Sequence, residues 1–317
     1  MTKKVFVTDY TIADEMDIEQ QMLQEIDAEL VRAQCGTEEE VLAQIGSPDA
    51  IITQWAPVTR RVLQKANGCR VVSRNGIGVD NIDLAACKDL GIAVTNIPGY
   101  CIPEVADHAM ALALACLRKL QPTVDSVRAG EWGEGPMKPT RRLETLTFGV
   151  LGLGRIGRAV ANRARPFFAE VIGFDAYAGG EVAEVTRRVE SAEALFCQAD
   201  IISIHIPGTA ETAKMVNSHL LGLMKPGSTI VNTCRGVVVD TDAVVAALQT
   251  GQLGGCGLDV HDPEPLPQDH PLRDFPNAIL TPHVAYYSEE SVLEARRQTV
   301  ENIVLFFQGK EPISRLV

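Results

Sequence analysis

The sequence predicts an α/β protein built on two doubly wound parallel sheets. Three observations lead there. A glycine run, Gly152-Leu153-Gly154-Arg155-Ile156-Gly157, sits near the middle of the chain, between a strand-like segment and a helical one. Short apolar runs alternate with helical patterns on both sides of it, as strands joined by crossover helices do. The 317 residues also exceed the usual size of one domain, so two cores of ordinary size are expected.

Taken in order, Val5 to Val7, Glu29 to Ala33, Ala50 to Thr53, Val71 to Ser73 and Ala93 to Asn96 read as strands. Helices fit between them over Asp14 to Ile26, Thr37 to Ile45, Thr59 to Lys65 and Ile82 to Leu90. Five strands with intervening helices make a parallel sheet, a flavodoxin-like half. Pro103-Glu104-Val105-Ala106 then opens a nearly all-apolar helix to Leu120, with proline at a permitted first-turn position. A helix that apolar on every side is expected to be buried. The polar stretch Ala129 to Pro136 carries Gly and Pro and reads as a connection.

Leu146 to Leu151 reads as the strand entering the glycine run. After it, Ile156, Val160 and Ala164 recur at helical spacing, and Val171 to Phe174 reads as a strand ending at Asp175. Strands follow at Ile201 to His205, Thr229 to Asn232, Cys256 to Val260 and Ala278 to Thr281. Ser288 to Gln308 is the last long helix, before a short tail, Gly309 to Val317.

The unit around the glycines is what a dinucleotide needs. Gly152 permits the tight turn, Gly154 lets backbone N–H groups approach a pyrophosphate, and Gly157 lets helix and strand pack closely. Asp175 lies where a carboxylate accepts hydrogen bonds from ribose hydroxyls and repels a 2′-phosphate. No Arg stands at Ala176 or Tyr177, so NAD is favoured over NADP. The plainer alternative is a strand-turn-helix packing motif with no ligand.

A net charge of −12, with no basic face, argues against nucleic acid. The N-terminus turns polar after three apolar residues, too few for a signal peptide, and no span approaches a membrane-crossing length. Eight cysteines show no CxxC spacing, so no metal site is predicted and they read as reduced core thiols. The expectation is a cytoplasmic protein without a membrane partner.

Arg235, Glu264 and His283 recur at the ends of late strands, where open α/β sheets place their ligands. Arg235 precedes Gly236, at a turn that exposes a planar fork suited to a carboxylate. Glu264 is flanked by Pro263 and Pro265, which fix its backbone. His283 follows Thr281-Pro282, past a strand. Singly, each has a bland reading as a solvated Arg, a loop Glu and a structural His.

Together with Val231-Asn232-Thr233-Cys234-Arg235-Gly236, Gly257-Leu258-Asp259-Val260 with Glu264-Pro265, and Thr281-Pro282-His283, the glycine run resembles the D-isomer-specific 2-hydroxyacid dehydrogenase family. The match extends to Gly76-Ile77-Gly78-Val79-Asp80-Asn81-Ile82-Asp83 and Val105-Ala106-Asp107, and so covers nearly the whole chain. The resemblance implies a flavodoxin-like substrate domain, residues 1–101 and 288–317, with an inserted Rossmann NAD-binding domain, residues 102–287, and an active site in the cleft between them. It implies that Arg235 holds a 2-oxo acid while NADH reduces it, that His283 protonates the developing alkoxide, and that Glu264 fixes the His283 tautomer and favours imidazolium. Arg155, Ile156, Pro207, Thr212, Thr233, Cys234, Arg235 and His283 would surround the cofactor, with Asp259 near the nicotinamide carboxamide. Asp259 also reads as a capping acid.

The same resemblance gives Asn75, Gly76, Ile77 and Gly78 to the substrate carboxylate, where the plainer reading is a turn before a helix capped by Asp80. The likeness is greatest to the C-terminal-binding protein branch, through Asp259-Val260-His261 and His283 to Glu289, in which Tyr286 matches an aromatic near the substrate or serves as packing. A homodimer is implied, through the long helix from Pro103 and its neighbour. Gln54 to Thr59 departs from the substrate loop of phosphoglycerate dehydrogenases, and no regulatory domain is expected after the tail, which argues against phosphoglycerate. The competing functions are an NADH-regulated binding protein of the corepressor type and a formate- or phosphite-type dehydrogenase.

Overall fold

Strands such as Ala50–Thr53 and Ser228–Asn232 are buried along their whole length, the pattern of strands covered on both faces by helices. The computed structural model describes residues 2–10, 16–177 and 187–317. By compactness the chain divides into two units, Met1–Tyr100 with Ser288–Val317, and Cys101–Tyr287. No helix among the described residues is long and apolar enough to cross a membrane.

The first unit runs β1 (Lys3–Val7), α1 (Asp17–Leu23), β2 (Ala28–Arg32), α2 (Glu38–Gln44), β3 (Ala50–Thr53), α3 (Arg60–Lys65), β4 (Val71–Arg74), α4 (Leu84–Leu90) and β5 (Ala93–Thr95). Its sheet is parallel throughout, in the flavodoxin-like order β2-β1-β3-β4-β5. Helix starts follow side-chain chemistry. Thr37 and Glu40 form a reciprocal capping box on α2, and Thr59 caps α3. Asp83, not Asp80, caps α4 by accepting the Ala86 N–H at 2.8 Å. The expected start of the first helix at Asp14 lies outside the described residues.

The second unit runs α5 (Ile102–Leu117), α6 (Leu120–Arg128), β6 (Thr147–Leu151), α7 (Arg155–Ala164), β7 (Glu170–Phe174), β8 (Arg187–Arg188), α8 (Ala192–Gln198), β9 (Ile201–Ile204), α9 (Ser218–Leu223), β10 (Ser228–Asn232), α10 (Thr241–Gln249), β11 (Leu253–Leu258) and β12 (Ala278–Leu280). Its seven parallel strands are ordered β12-β11-β10-β9-β6-β7-β8, a Rossmann sheet whose strand order reverses between β6 and β9. Alternate residues of each strand feed opposite cores. Phe148, Val150, Ile201 and Val231 pack with Ala109, Met110, Val160 and Ala164 of α5 and α7. Leu151, Ile172, Ile202, Ile204 and Ile230 pack with α8, α9 and α10 through Leu195, Leu221 and Val244.

The final helix, α11 (Glu289–Phe307), is capped by Ser288 and belongs to the first unit. Its Val300, Ile303 and Val304 cover Val5, Val7, Ile52 and Val71, while Val41, Val62 and Ala86 cover the opposite face of that sheet. Two expectations are corrected. The apolar helix stops at Leu117 because Lys119 turns left-handed at φ 48°, and α6 starts afresh. Nor is α5 buried all round, since Pro103, Asp107 and Ala111 line an exposed side.

Candidate active site

Because the second sheet is parallel, the loops after β6, β7, β9, β10, β11 and β12 all leave one edge. Two of the three glycines there answer to the protein's own packing. Gly152 has φ 92°, and a Cβ on it would lie 2.4 Å from the carbonyl oxygen of His205. A Cβ on Gly157 would lie 1.9 Å from the carbonyl oxygen of Gly152, so α7 and the turn touch backbone to backbone. Gly154 is different, because a Cβ on it would meet nothing within 4 Å. It begins α7 with no side-chain cap, leaving open space at a helix N-terminus, where an anion is favoured.

Asp175 is fixed by main-chain donors, its oxygens accepting the Leu153 N–H at 2.7 Å and the Tyr177 N–H at 2.8 Å. It lines a cavity of about 810 Å³ with Phe174, Ala176, Arg187 and Arg188. Strand pairing of Gly173 with Arg188 brings the Arg188 guanidinium to the Asp175 carbonyl at 3.1 Å. A search of the positions just after Asp175 misses this cation, which arrives from the next strand. Farther along the edge the Thr233 hydroxyl is buried without a hydrogen-bond partner among the described residues. The open helix terminus, the fixed acid and this orphaned hydroxyl fit a dinucleotide.

After β9, the Thr212 hydroxyl donates to the Pro207 carbonyl at 2.6 Å and accepts the Thr209 N–H, closing a loop. Gly208 in that loop lies against Arg235, whose Cγ a Cβ would approach to 3.0 Å. Arg235 donates from its guanidinium to the Cys234 carbonyl at 2.7 Å, and its own carbonyl accepts from Asn232 at 2.9 Å. Burial pushes the Cys234 thiol up to about 11, so it stays protonated as a donor to Asn232. His205 goes the other way. Burial lowers it to about 3, so it is a neutral ring beside the glycine turn, hydrogen-bonded to Ser203 at 2.8 Å.

Gly236 joins the next two loops, since a Cβ on it would sit 1.9 Å from the His261 carbonyl oxygen. From there Glu264 reaches in two directions. One oxygen accepts the His261 N–H at 2.9 Å and the other meets His283 Nδ1 at 3.0 Å. Burial acts to raise the Glu264 carboxyl, but the hydrogen bond and charge of His283, with the His261 N–H, outweigh it and hold the group below its usual range. His283 adopts a left-handed φ of 56°, and its ring meets Tyr286 edge-on at 6.4 Å between centroids. Asp259, fully buried, accepts the Val284 N–H at 3.0 Å and the Ala285 N–H at 2.9 Å. Asp259 thus serves the main chain of the turn after β12, whereas the N-cap of α11 is Ser288.

The loop Asn75–Gly78 belongs to the first unit, after β4. Asn75 is buried, with its side-chain oxygen accepting from Thr299 at 3.1 Å, and its carbonyl accepts from Arg74. Gly76 stands at φ 151°, and a Cβ there would collide with the Arg74 guanidinium. The Ile77 carbonyl accepts from Asn96 at 2.7 Å. Arg74, which stacks on Trp55 at 5.5 Å, is a buried positive charge that pattern reading misses, because β4 otherwise reads as apolar.

Residues 110–285 match the family model described as D-isomer specific 2-hydroxyacid dehydrogenase, NAD binding domain. A glyoxylate reductase from Aeropyrum pernix is 37% identical over 282 residues, covering 86% of this chain and 84% of that protein. A D-3-phosphoglycerate dehydrogenase from Methanocaldococcus jannaschii is 36% identical over 97% of this chain, which spans 58% of that longer protein. An acyclic imino acid reductase solved with NADPH and D-arginine superposes with a TM-score of 0.89 at 29% identity, over 99% of this chain and 100% of the other.

Proposed function

This chain belongs to the D-isomer-specific 2-hydroxyacid dehydrogenase family, and from that premise we propose that it reduces a 2-oxo acid to the D-2-hydroxy acid with NADH, and catalyses the reverse with NAD. The observation that carries the reading is the pair His283 Nδ1 to Glu264 Oε2, 3.0 Å, on the same sheet edge as Arg235 and the glycine turn. Bound NADH supplies the hydride that the 2-oxo carbon receives. The chain's own residues supply the rest. Arg235 binds the substrate carboxylate and polarises the oxo group with its guanidinium. His283 donates from Nε2 to the developing alkoxide, and in reverse takes that proton back. Glu264, ionised at neutral pH, keeps the hydrogen on Nδ1, so that Nε2 is the nitrogen that exchanges protons.

For the cofactor we assign Gly154, Arg155 and Ile156 to the pyrophosphate, on a turn that Gly152 and Gly157 shape, Asp175 to the ribose, and Pro207, Thr212, Thr233 and Cys234 to the remaining wall. The loop Asn75–Gly78 is assigned to the substrate carboxylate. Tyr286, edge-on to His283, suits an oxo acid with an apolar tail. A second copy of the chain is assigned to α6, where Leu120, Val124 and Val127 form an i, i+4, i+7 stripe that is 51%, 42% and 52% exposed. Light scattering should report a dimer that Val124→Lys with Val127→Glu converts to monomer, and a monomeric parent contradicts the assignment.

NADH oxidation with glyoxylate, hydroxypyruvate, pyruvate and phenylpyruvate tests the reading. At least one acid is expected to turn over, faster with NADH than with NADPH. A protein that binds NADH and reduces none of them is a dinucleotide-regulated binding protein instead. NAD reduction by formate or phosphite points to the other dehydrogenase type, and equal use of NADPH would assign Arg188 to the 2′-phosphate.

A further inference from the structure

His108 on α5 has no part in the assignment above, yet it reaches the anchor of His283. Its Nε2 lies 3.0 Å from the Thr281 hydroxyl oxygen and 3.6 Å from Asp259 Oδ1. The single hydroxyl proton of Thr281 goes to Asp259 Oδ1 at 2.5 Å. The hydroxyl oxygen therefore faces His108 as an acceptor, and Nε2 carries the hydrogen. The chain of donors runs from His108 to Thr281 to Asp259.

Asp259 then holds the turn at three successive residues. Its carbonyl accepts the His283 N–H at 2.7 Å, and its carboxylate accepts the N–H groups of Val284 and Ala285. His261 adds a hydrogen bond to the Thr281 carbonyl at 3.1 Å. Such anchoring is needed because His283 sits at φ 56°, a left-handed conformation that a non-glycine residue keeps only when its surroundings impose it. Of the groups in this anchor, the His108 side chain alone comes from a helix rather than from the loops after β11 and β12.

We infer that His108 is a positioning residue for the reaction: through Thr281 and Asp259 it fixes the turn that presents the His283 ring to Glu264 and to substrate. This rests on the acid/base role proposed for His283.

The test is steady-state reduction by His108→Ala, His108→Gln, Thr281→Val and Thr281→Ser in the full chain, with NADH binding by fluorescence and thermal melting alongside. His108→Ala and Thr281→Val should lower kcat about 10- to 100-fold, as loss of catalytic geometry does, while NADH affinity and melting temperature stay near the parent's. The double variant should be no slower than the slower single, because both act through one chain of bonds. His108→Gln keeps a donor and Thr281→Ser keeps a hydroxyl, so both should stay within about threefold of the parent. Parent-like kcat in His108→Ala, failure of Gln to rescue, or a loss confined to KM overturns the inference. Should His108→Ala not fold, the contrast between Thr281→Val and Thr281→Ser decides. A parent that reduces no oxo acid fails at the oxidoreductase reading, before His108 is at issue.

Discussion

Glu264 is pulled by burial toward the neutral acid and by His283 and the His261 N–H toward the carboxylate, and the partners win. Its carboxyl is depressed, so the stabilisation it brings is present above its unfolded value, about 4.3, and is lost as pH falls through the lower folded value. The Glu264–His283 pair should therefore persist through mildly acidic pH. In rapid assays on protein returned unharmed to neutrality, kcat/KM for reduction should show no Glu264-dependent acid limb above pH about 4.3. A limb with its midpoint above that, abolished by Glu264→Gln, contradicts the assignment. Arg235, Glu264 and His283 are legible in the sequence because each follows a strand end beside glycine or proline. Arg74, His108 and Arg188 are not, since their meaning depends on partners brought by tertiary pairing, as Gly173 brings Arg188 to Asp175.

At the scale of elements, the three glycines of the turn separate packing from ligand binding. Gly157→Ala drives a Cβ to 1.9 Å from a backbone oxygen, so it should destabilise the fold as well as abolish NADH binding. Gly154→Ala meets nothing of the protein, so its melting temperature should match the parent's while NADH affinity falls at least about tenfold. Equal effects on melting, or unchanged NADH affinity in Gly154→Ala, would remove the pyrophosphate from this turn. Strands and the helices with long apolar periods, such as Glu289–Phe307, are readable because their burial pattern is written in consecutive residues. The break between α5 and α6 is not. It turns on Lys119, a non-glycine residue in a left-handed conformation, and the apolar run continues past it to Leu120, although Pro122 in the first turn of α6 is a sign of a fresh helix start.

Across the whole molecule, the two sheets follow one rule of construction, parallel strands with helices on both faces and an order that reverses part-way along. In the second sheet that reversal lies at the glycine turn, and the edge from Asp175 after β7 to His283 after β12 crosses five strand spacings, about 24 Å at ~4.8 Å each. An extended dinucleotide held at its ribose by one end of the edge would run toward His283 and Glu264, the pair proposed for proton transfer, at the other. The sequence patterns of Asn75–Gly78 and of the segment around Tyr286, the loops proposed to select the oxo acid, constrain the backbone more than they constrain a substrate. The most direct measurement is NADH-linked reduction of the best oxo acid by the parent and by His283→Gln, with NADH affinity measured in parallel. The account predicts a kcat about 10²- to 10⁴-fold lower in the variant, with NADH binding unchanged and D-2-hydroxy acid as the parent's product. Unchanged turnover in His283→Gln would contradict it.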